Sequence, residues 1–215
     1  KMFNAGPINN SDAKKGFPGS GAYTAPGEYA VTMSKVINGV STDIAGPVSF
    51  RTKTLNDVTL PAENRRELSD FQEKIGRLQS AIRTMNGRLN NSSKELQDMR
   101  AAAQGIKTDN SKILMGIDLA EQKIAKIQRK LNGERLAYRL DIDLPPSISD
   151  RVNRAAYGVL SSSSAPTNTQ RDAYKIASSD FQPLEKELNS FIDNDMKRII
   201  DMLKRSDAPY TINRK

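Results

Sequence analysis

The sequence predicts a mainly α protein with a small β part: an N-terminal β-hairpin or partial β-sandwich followed by an elongated antiparallel bundle of about four helices. Three observations carry this. Apolar residues step by three and four from Leu68 to Ile106, and a second run with the same spacing follows from Ile113 to Leu131; this is the seam of a helix that packs along its length. Ahead of both, Asn38-Gly39 lies between two segments of alternating polarity. That pair best tolerates the positive φ that a type I′ hairpin turn requires at both central positions. The division is an irregular arm plus hairpin over residues 1–58 and a helical bundle over 59–215.

Residues 1–24 are rich in Gly, Asn, Pro and Ser and predict an irregular lead-in. Pro26-Gly27 turns the chain into the first strand. With Asn38-Gly39 as the loop, Met33 opposes Ile44, Val31 opposes Gly46 and Tyr29 opposes Val48, all on one face. The other face carries Ala30, Thr32 and Ser34 opposite Pro47, Ala45 and Asp43. One side is therefore apolar and the other small or polar, the pattern of an amphipathic antiparallel pair. Two strands with one apolar face are marginal alone in water, so this face is expected to rest on the first 25 residues, on the helices, or on strands outside the chain.

The segment "RTKTLNDVTLP" connects the hairpin to the helices, with Pro61 placed in the first turn of a helix, where a missing N–H costs nothing. The first seam then runs through Leu68, Phe71, Ile75, Leu78, Ile82, Met85, Leu89, Ser92, Leu96, Met99, Ala103 and Ile106. Only Ser92 in it is polar. This predicts one helix of about 45 residues, on the order of 65 Å long. Gly105 marks its stop and Asp109 the next N-cap. The second helix carries Ile113, Ile117, Ala120, Ile124, Ile127 and Leu131 and ends at Asn132-Gly133. A short connection makes these two helices antiparallel.

"ERLAYRLDIDLPP" interrupts the helical pattern, and Pro145-Pro146 prevents its simple continuation. Ser147 with Asp150 resembles a capping box for a short helix through Val152, Ala155 and Val159. After the corner "SSSSAP", Thr167 with Gln170 caps a last helix through Ala173, Ala177, Phe181, Leu184, Leu188, Phe191 or Ile192, Ile199 and Leu203. Pro183 inside that run is expected to kink or split it. With seams on every major helix, the helices are expected to bury one another within the chain.

Composition narrows the chemistry. The 215 residues include neither Cys nor His, which removes disulfides, thiolate nucleophiles, the usual zinc sites and the commonest general base. No apolar run approaches the roughly 20 residues needed to span a bilayer. The opening "KMFNAGPINN" has no apolar signal region and reads as the interior of a longer chain. A net charge of +8 suggests an anionic partner. The cations, however, are interleaved with acids, as in "ENRRELSDFQEK" and "EQKIAKIQRK", and no aromatic-lined basic stripe accompanies them. Solvated helix faces are therefore favoured over a nucleic-acid surface, which stands as the alternative.

The candidate chemical motifs are weak. Asp141 and Asp143 flank an apolar residue in a loop, and Asp193 and Asp195 do so on a helix, where positions two apart do not share a face. The "GFPGSG" of residues 16–21 lacks the strand, helix and Lys-Ser/Thr of a phosphate loop. Ser161–Ser164 has no histidine to activate it and reads as a corner between helices. No catalytic, cofactor-binding or metal-ligating residue is assigned, and no cofactor is expected.

"APGEYAVTMSKVINGVSTDIAGPVSF" resembles the Pro-Gly-x-Tyr-x-Val segment, short Gly-containing turn and second strand that precede the helical tail of bacterial sortilin-like β-propeller proteins, often labelled BNR-repeat glycosyl hydrolases. "LPPSISDRVNRAAYGVLSSSSAPTNTQRDAYKIASSDFQPLEKELNSF" is similar to that tail in its Pro-Pro, short helix, serine-rich corner, Pro-Thr and long final helix. "APYTIN" resembles the closing Asn-containing turn. The resemblance runs from about Ala25 onward and rests on structural punctuation.

It implies the C-terminal part of a secreted or envelope-associated protein, located outside the cytoplasm, with a β-propeller upstream as partner. It carries over no catalytic residue, since the matching positions are turns and core. The hairpin would then end a small β-sandwich-like module that joins propeller to bundle. The function expected is a non-catalytic spacer or interaction module, engaging the propeller and another protein, with no nucleic-acid partner and no transmembrane segment.

Overall fold

The computed structural model describes residues 26–53, 63–160 and 163–206. In chain order they form strands β1 (Gly27–Ile37) and β2 (Val40–Thr52), then helices α1 (Arg65–Gln104), α2 (Ser111–Asn132), α3 (Arg135–Arg139), α4 (Ile148–Ala156) and α5 (Asn168–Ser190). A π-helical stretch, Phe191–Met196, continues α5 directly into α6 (Lys197–Arg205). Helix accounts for 67% of these residues, and the only sheet among them is the antiparallel β1–β2 pair. The mainly helical architecture with an N-terminal hairpin is thus present. No described helix is long and apolar enough to cross a membrane.

The chain falls into two compact units. The first takes the hairpin, α1 up to Gly76, and Ala156–Asn168; the second takes Arg77–Ala155 and the chain from Thr169 onward.

Helix α1 has 40 residues, about 60 Å at about 1.5 Å per residue. Every seam position expected from Leu68 to Ala103 is buried, Ser92 included, and Ile106 packs at the edge of the core. Pro61 lies outside the described residues. The cap is Asn64, whose Oδ1 accepts the Glu67 N–H at 3.1 Å, so "NRRE" is the start signal. Gly87 and the Asn90–Ser93 run do not interrupt the helix, because the residues around them hold the seam in place.

Within the second unit the directions follow from cross-helix polar pairs. Arg100 of α1 meets Asp118 and Glu121 of α2, while Asn86 meets Asn132, so the two helices are antiparallel. Lys123 and Lys130 of α2 pair with Asp195 and Glu187, making α2 antiparallel to the last helix as well. Arg88 donates to Asn189 at 2.7 Å, and α1 and α5 are therefore parallel. Between the three run the seams of Ile82 to Met99, Ile113 to Leu131 and Ala177 to Leu203 as one core. The ion pairs fix register more than stability, because exposed pairs contribute little.

The caps behave largely as the sequence predicts. At the start of α2 the N-cap position falls on Asn110 and not on the expected Asp109, which, one residue earlier, accepts the Ser111 N–H at 3.0 Å through Oδ1; Gly133, with φ 79°, ends the helix. Ser147 and Asp150 form a reciprocal box, with Asp150 accepting the Ser147 N–H at 3.0 Å and Ser147 Oγ accepting the Asp150 N–H at 3.2 Å. Helix α5 begins directly after Thr167.

Two expectations are corrected. Pro183 does not split α5; it sits on the exposed face, as does Ser179, whose carbonyl has lost its donor. The departure from α geometry comes later, at Phe191–Met196, where the wider π turn buries both Phe191 and Met196. Helix α4 stops at Ala156 instead of continuing to Val159, because Gly158 turns the chain with φ 78°. Val159 is still buried, in the first unit.

Candidate interaction surfaces

The hairpin keeps the predicted register only near its turn. Asn38 and Gly39 both take positive φ, at 52° and 81°, and Ile37 pairs with Val40, Lys35 with Thr42 and Ser34 with Asp43. Two bulges in β2 then shift the partners, so that Met33 faces Ala45, Val31 faces Val48 and Tyr29 faces Phe50. The first leaves Ile44 over between the Ser34–Asp43 and Met33–Ala45 pairs, and the second falls at Gly46 and Pro47. Pro47 offers no N–H to the ladder, and Gly46 adopts φ 100°, where a Cβ would lie 2.5 Å from the Val31 carbonyl oxygen.

The correction moves Phe50 and Ala45 onto the apolar face, which now holds Tyr29, Val31, Met33 and Ile37 with Phe50, Val48, Ala45 and Val40, interrupted by the Lys35–Thr42 pair before the turn. Tyr29 and Phe50 stack at 6.0 Å between ring centroids. Thr52 closes the open end through the backbone N–H and carbonyl of Gly27, at 3.1 and 3.3 Å. Beyond that pair the face is bare: Val31 is 56% exposed, Met33 62% and Val48 61%.

A second surface is a cleft of about 1180 Å³ between the end of α2, α3 with the loop to α4, and the side of α5 around Pro183. Several of its charges are committed elsewhere. Arg129 pairs with Glu134 at 3.5 Å, Lys130 with Glu187 at 2.8 Å, and Asp150 with its cap. Asp141 and Asp143 line the cleft and stay exposed, so the structure brings this sequence pair to a surface together with Asp180. Asp141 takes φ 54°, the left-handed region that short polar side chains tolerate.

The other sequence candidates separate. Asp195 is engaged by Lys123 at 2.8 Å, whereas Asp193 lies on a shallow dimple with Lys197 and Arg198. Residues 16–21 and Ser161–Ser162 fall outside the described residues. Among the described residues, no group of three or more acids is placed to hold a metal ion. Two ionisable groups are displaced from their ordinary values. Hydrogen bonds to Asp118 and then Glu121 raise the Arg100 guanidinium, and bonds from the Ser111 side chain and backbone lower the Asp109 carboxyl.

No family model, no curated protein and no solved structure matches the chain.

Proposed function

We propose that this chain is a non-catalytic spacer and interaction module of a larger secreted or envelope-associated protein, one whose other part is the sortilin-like β-propeller that the sequence resembles. The observation that carries the reading is the bare apolar face of β1 and β2, from Tyr29 to Ile37 and from Val40 to Phe50. A two-stranded ribbon of this kind gains stability when further strands or a packed layer cover it. The parent protein would supply that cover, and the hairpin would fix the junction. The helices support the same reading, since the apolar seams of α1, α2 and α5 to α6 are occupied with one another.

The test is binding of the purified chain to the separately produced upstream part of the parent, using the wild type and a Val31→Ser, Val48→Ser double variant. The reading expects the wild type to bind and the variant to lose binding while its helical signal is unchanged. Equal binding by both, or none by either, would remove the hairpin from the junction. Turnover of any member of a broad glycan panel by the purified chain would overturn the non-catalytic part.

A further inference from the structure

We infer that Asn38 is a site of self-modification: in the folded chain its side-chain amide is lost through succinimide formation with the Gly39 nitrogen, leaving isoaspartate or aspartate at the tip of the hairpin. The chain holds three Asn-Gly pairs, Asn38-Gly39, Asn86-Gly87 and Asn132-Gly133. All three have the chemistry, since glycine carries no Cβ to shield its amide nitrogen from the preceding side chain. The fold treats them differently.

Two of the pairs are held. Asn86 and Asn132 clasp each other across α1 and α2, each side-chain amide donating to the other's Oδ1, at 3.3 and 2.7 Å. Ser149 Oγ donates to the same Asn132 Oδ1 at 3.0 Å. The attacking nitrogens are engaged as well: the Gly87 N–H lies within the hydrogen-bonded interior of α1, and the Gly133 N–H donates to the Arg129 carbonyl at 2.8 Å. Reaction at either pair needs these bonds broken first.

Asn38 has no such restraint. Among the described residues neither its side chain nor the Gly39 N–H is hydrogen bonded, and a Cβ built on Gly39 would meet nothing within 4 Å. Ring closure takes the Asn38 backbone out of its turn conformation, so the rate follows local opening. Opening costs least at this turn, which is flanked by exposed Val36, Ile37 and Val40 at the end of a two-stranded ribbon.

The step needs only water. Hydroxide takes the Gly39 amide proton, the nitrogen bonds to Asn38 Cγ, and the Cγ–Nδ2 bond breaks as ammonia leaves with a proton from water. Water then opens the five-membered ring at either carbonyl, so that the sum is amide plus water giving carboxylate plus ammonium. Opening on the main-chain side yields isoaspartate, which inserts a methylene into the backbone and adds a negative charge. A two-residue type I′ loop has no room for the insertion, so the Ile37–Val40 pair beside it loosens. The modification depends on the hairpin tip alone and not on what covers the apolar face.

The test incubates the intact chain in mildly alkaline buffer made with heavy-oxygen water and maps its peptides by mass spectrometry, with fragmentation that separates isoaspartate from aspartate. A second sample is held unfolded in guanidinium chloride. An Asn38→Gly variant keeps a turn that takes positive φ and removes the reacting amide. The expected result is uptake of label at Asn38 about tenfold or more faster than at Asn86 and Asn132 in the folded chain, similar uptake at all three in the unfolded one, and none at position 38 of the variant. In the aged wild type the Ile37 and Val40 amides should exchange hydrogen faster, with Ile124 unchanged. Equal uptake at the three pairs in the folded chain overturns the inference, as does an Asn38 that stays intact when folded and reacts only in denaturant. Unchanged exchange at Ile37 and Val40 in the aged chain would overturn the loosening of the ladder.

Discussion

The side-chain amide of Gln72 donates to the backbone carbonyl of Val159 at 2.6 Å, joining two points 87 residues apart in the chain. Both residues are 2% exposed. A buried carbonyl that loses its donor keeps the full cost of leaving water. Gln72→Leu fits the space but removes the donor, and is expected to destabilise the first unit by about 1–3 kcal/mol. Urea unfolding of the variant beside the wild type checks this; coincident transitions would mean that the bond contributes nothing.

Leu89 has no exposed surface and Ile82 almost none, each in the middle of the α1 seam. Truncating either to Ala leaves a cavity that the surrounding helices close only in part. The expected loss is about 2–5 kcal/mol, larger at Leu89, where burial is complete. Thermal melts that match the parent would mean that the seam is not packed.

The helical part of this fold was largely legible because one physical rule governs it. A step of three and four places a residue on the buried stripe, and Leu68 through Ala103 obey it without exception. Gln72 was not legible, since its value lies in a carbonyl far along the chain and a lone polar residue beside a seam reads as surface. The hairpin was half legible. Asn38-Gly39 set the turn, but the register beyond it depended on two bulges, one at Ile44, which no residue type announces, and one at Gly46-Pro47, which alternation alone does not weigh. The cleft was the least legible, because Asp180 and Asp141 belong to different segments and only the fold brings them to one surface.

Glycines separate cleanly by geometry. Gly46→Ala places a Cβ 2.5 Å from one backbone atom and 2.9 Å from another at φ 100°, so it is expected to disrupt the bulge and loosen the hairpin. Gly87→Ala meets nothing within 4 Å in mid-helix, and is expected to stabilise α1 by about 0.5–1 kcal/mol. Melting temperatures that move in the same direction for both variants would contradict this.

Asp109 ties stability to acid. Its carboxyl is lowered by hydrogen bonds from the Ser111 side chain and backbone, so the charged form is favoured when the chain is folded. The contribution is therefore fully present above the ordinary carboxylate range. It fades as the pH falls through that range and is gone below the depressed folded value. Asp109→Ala should lower the melting temperature at about pH 7 and leave it almost unchanged at about pH 2. A deficit of equal size at both values would assign the loss to the cap's shape and not its charge.

The central claim is that β1 and β2 form an incomplete sheet awaiting cover, and residue-resolved amide hydrogen exchange tests it most directly. In the chain alone, the ladder amides of Val31, Val36 and Val48 should exchange many times faster than those of Ile117, Ile124 and Leu188 in the helical core. In a longer chain that includes the upstream part of the parent, the hairpin amides should slow while the core amides stay as they are. Hairpin amides that are as protected as Ile124 in the chain alone, or that exchange equally fast in both chains, would contradict the account.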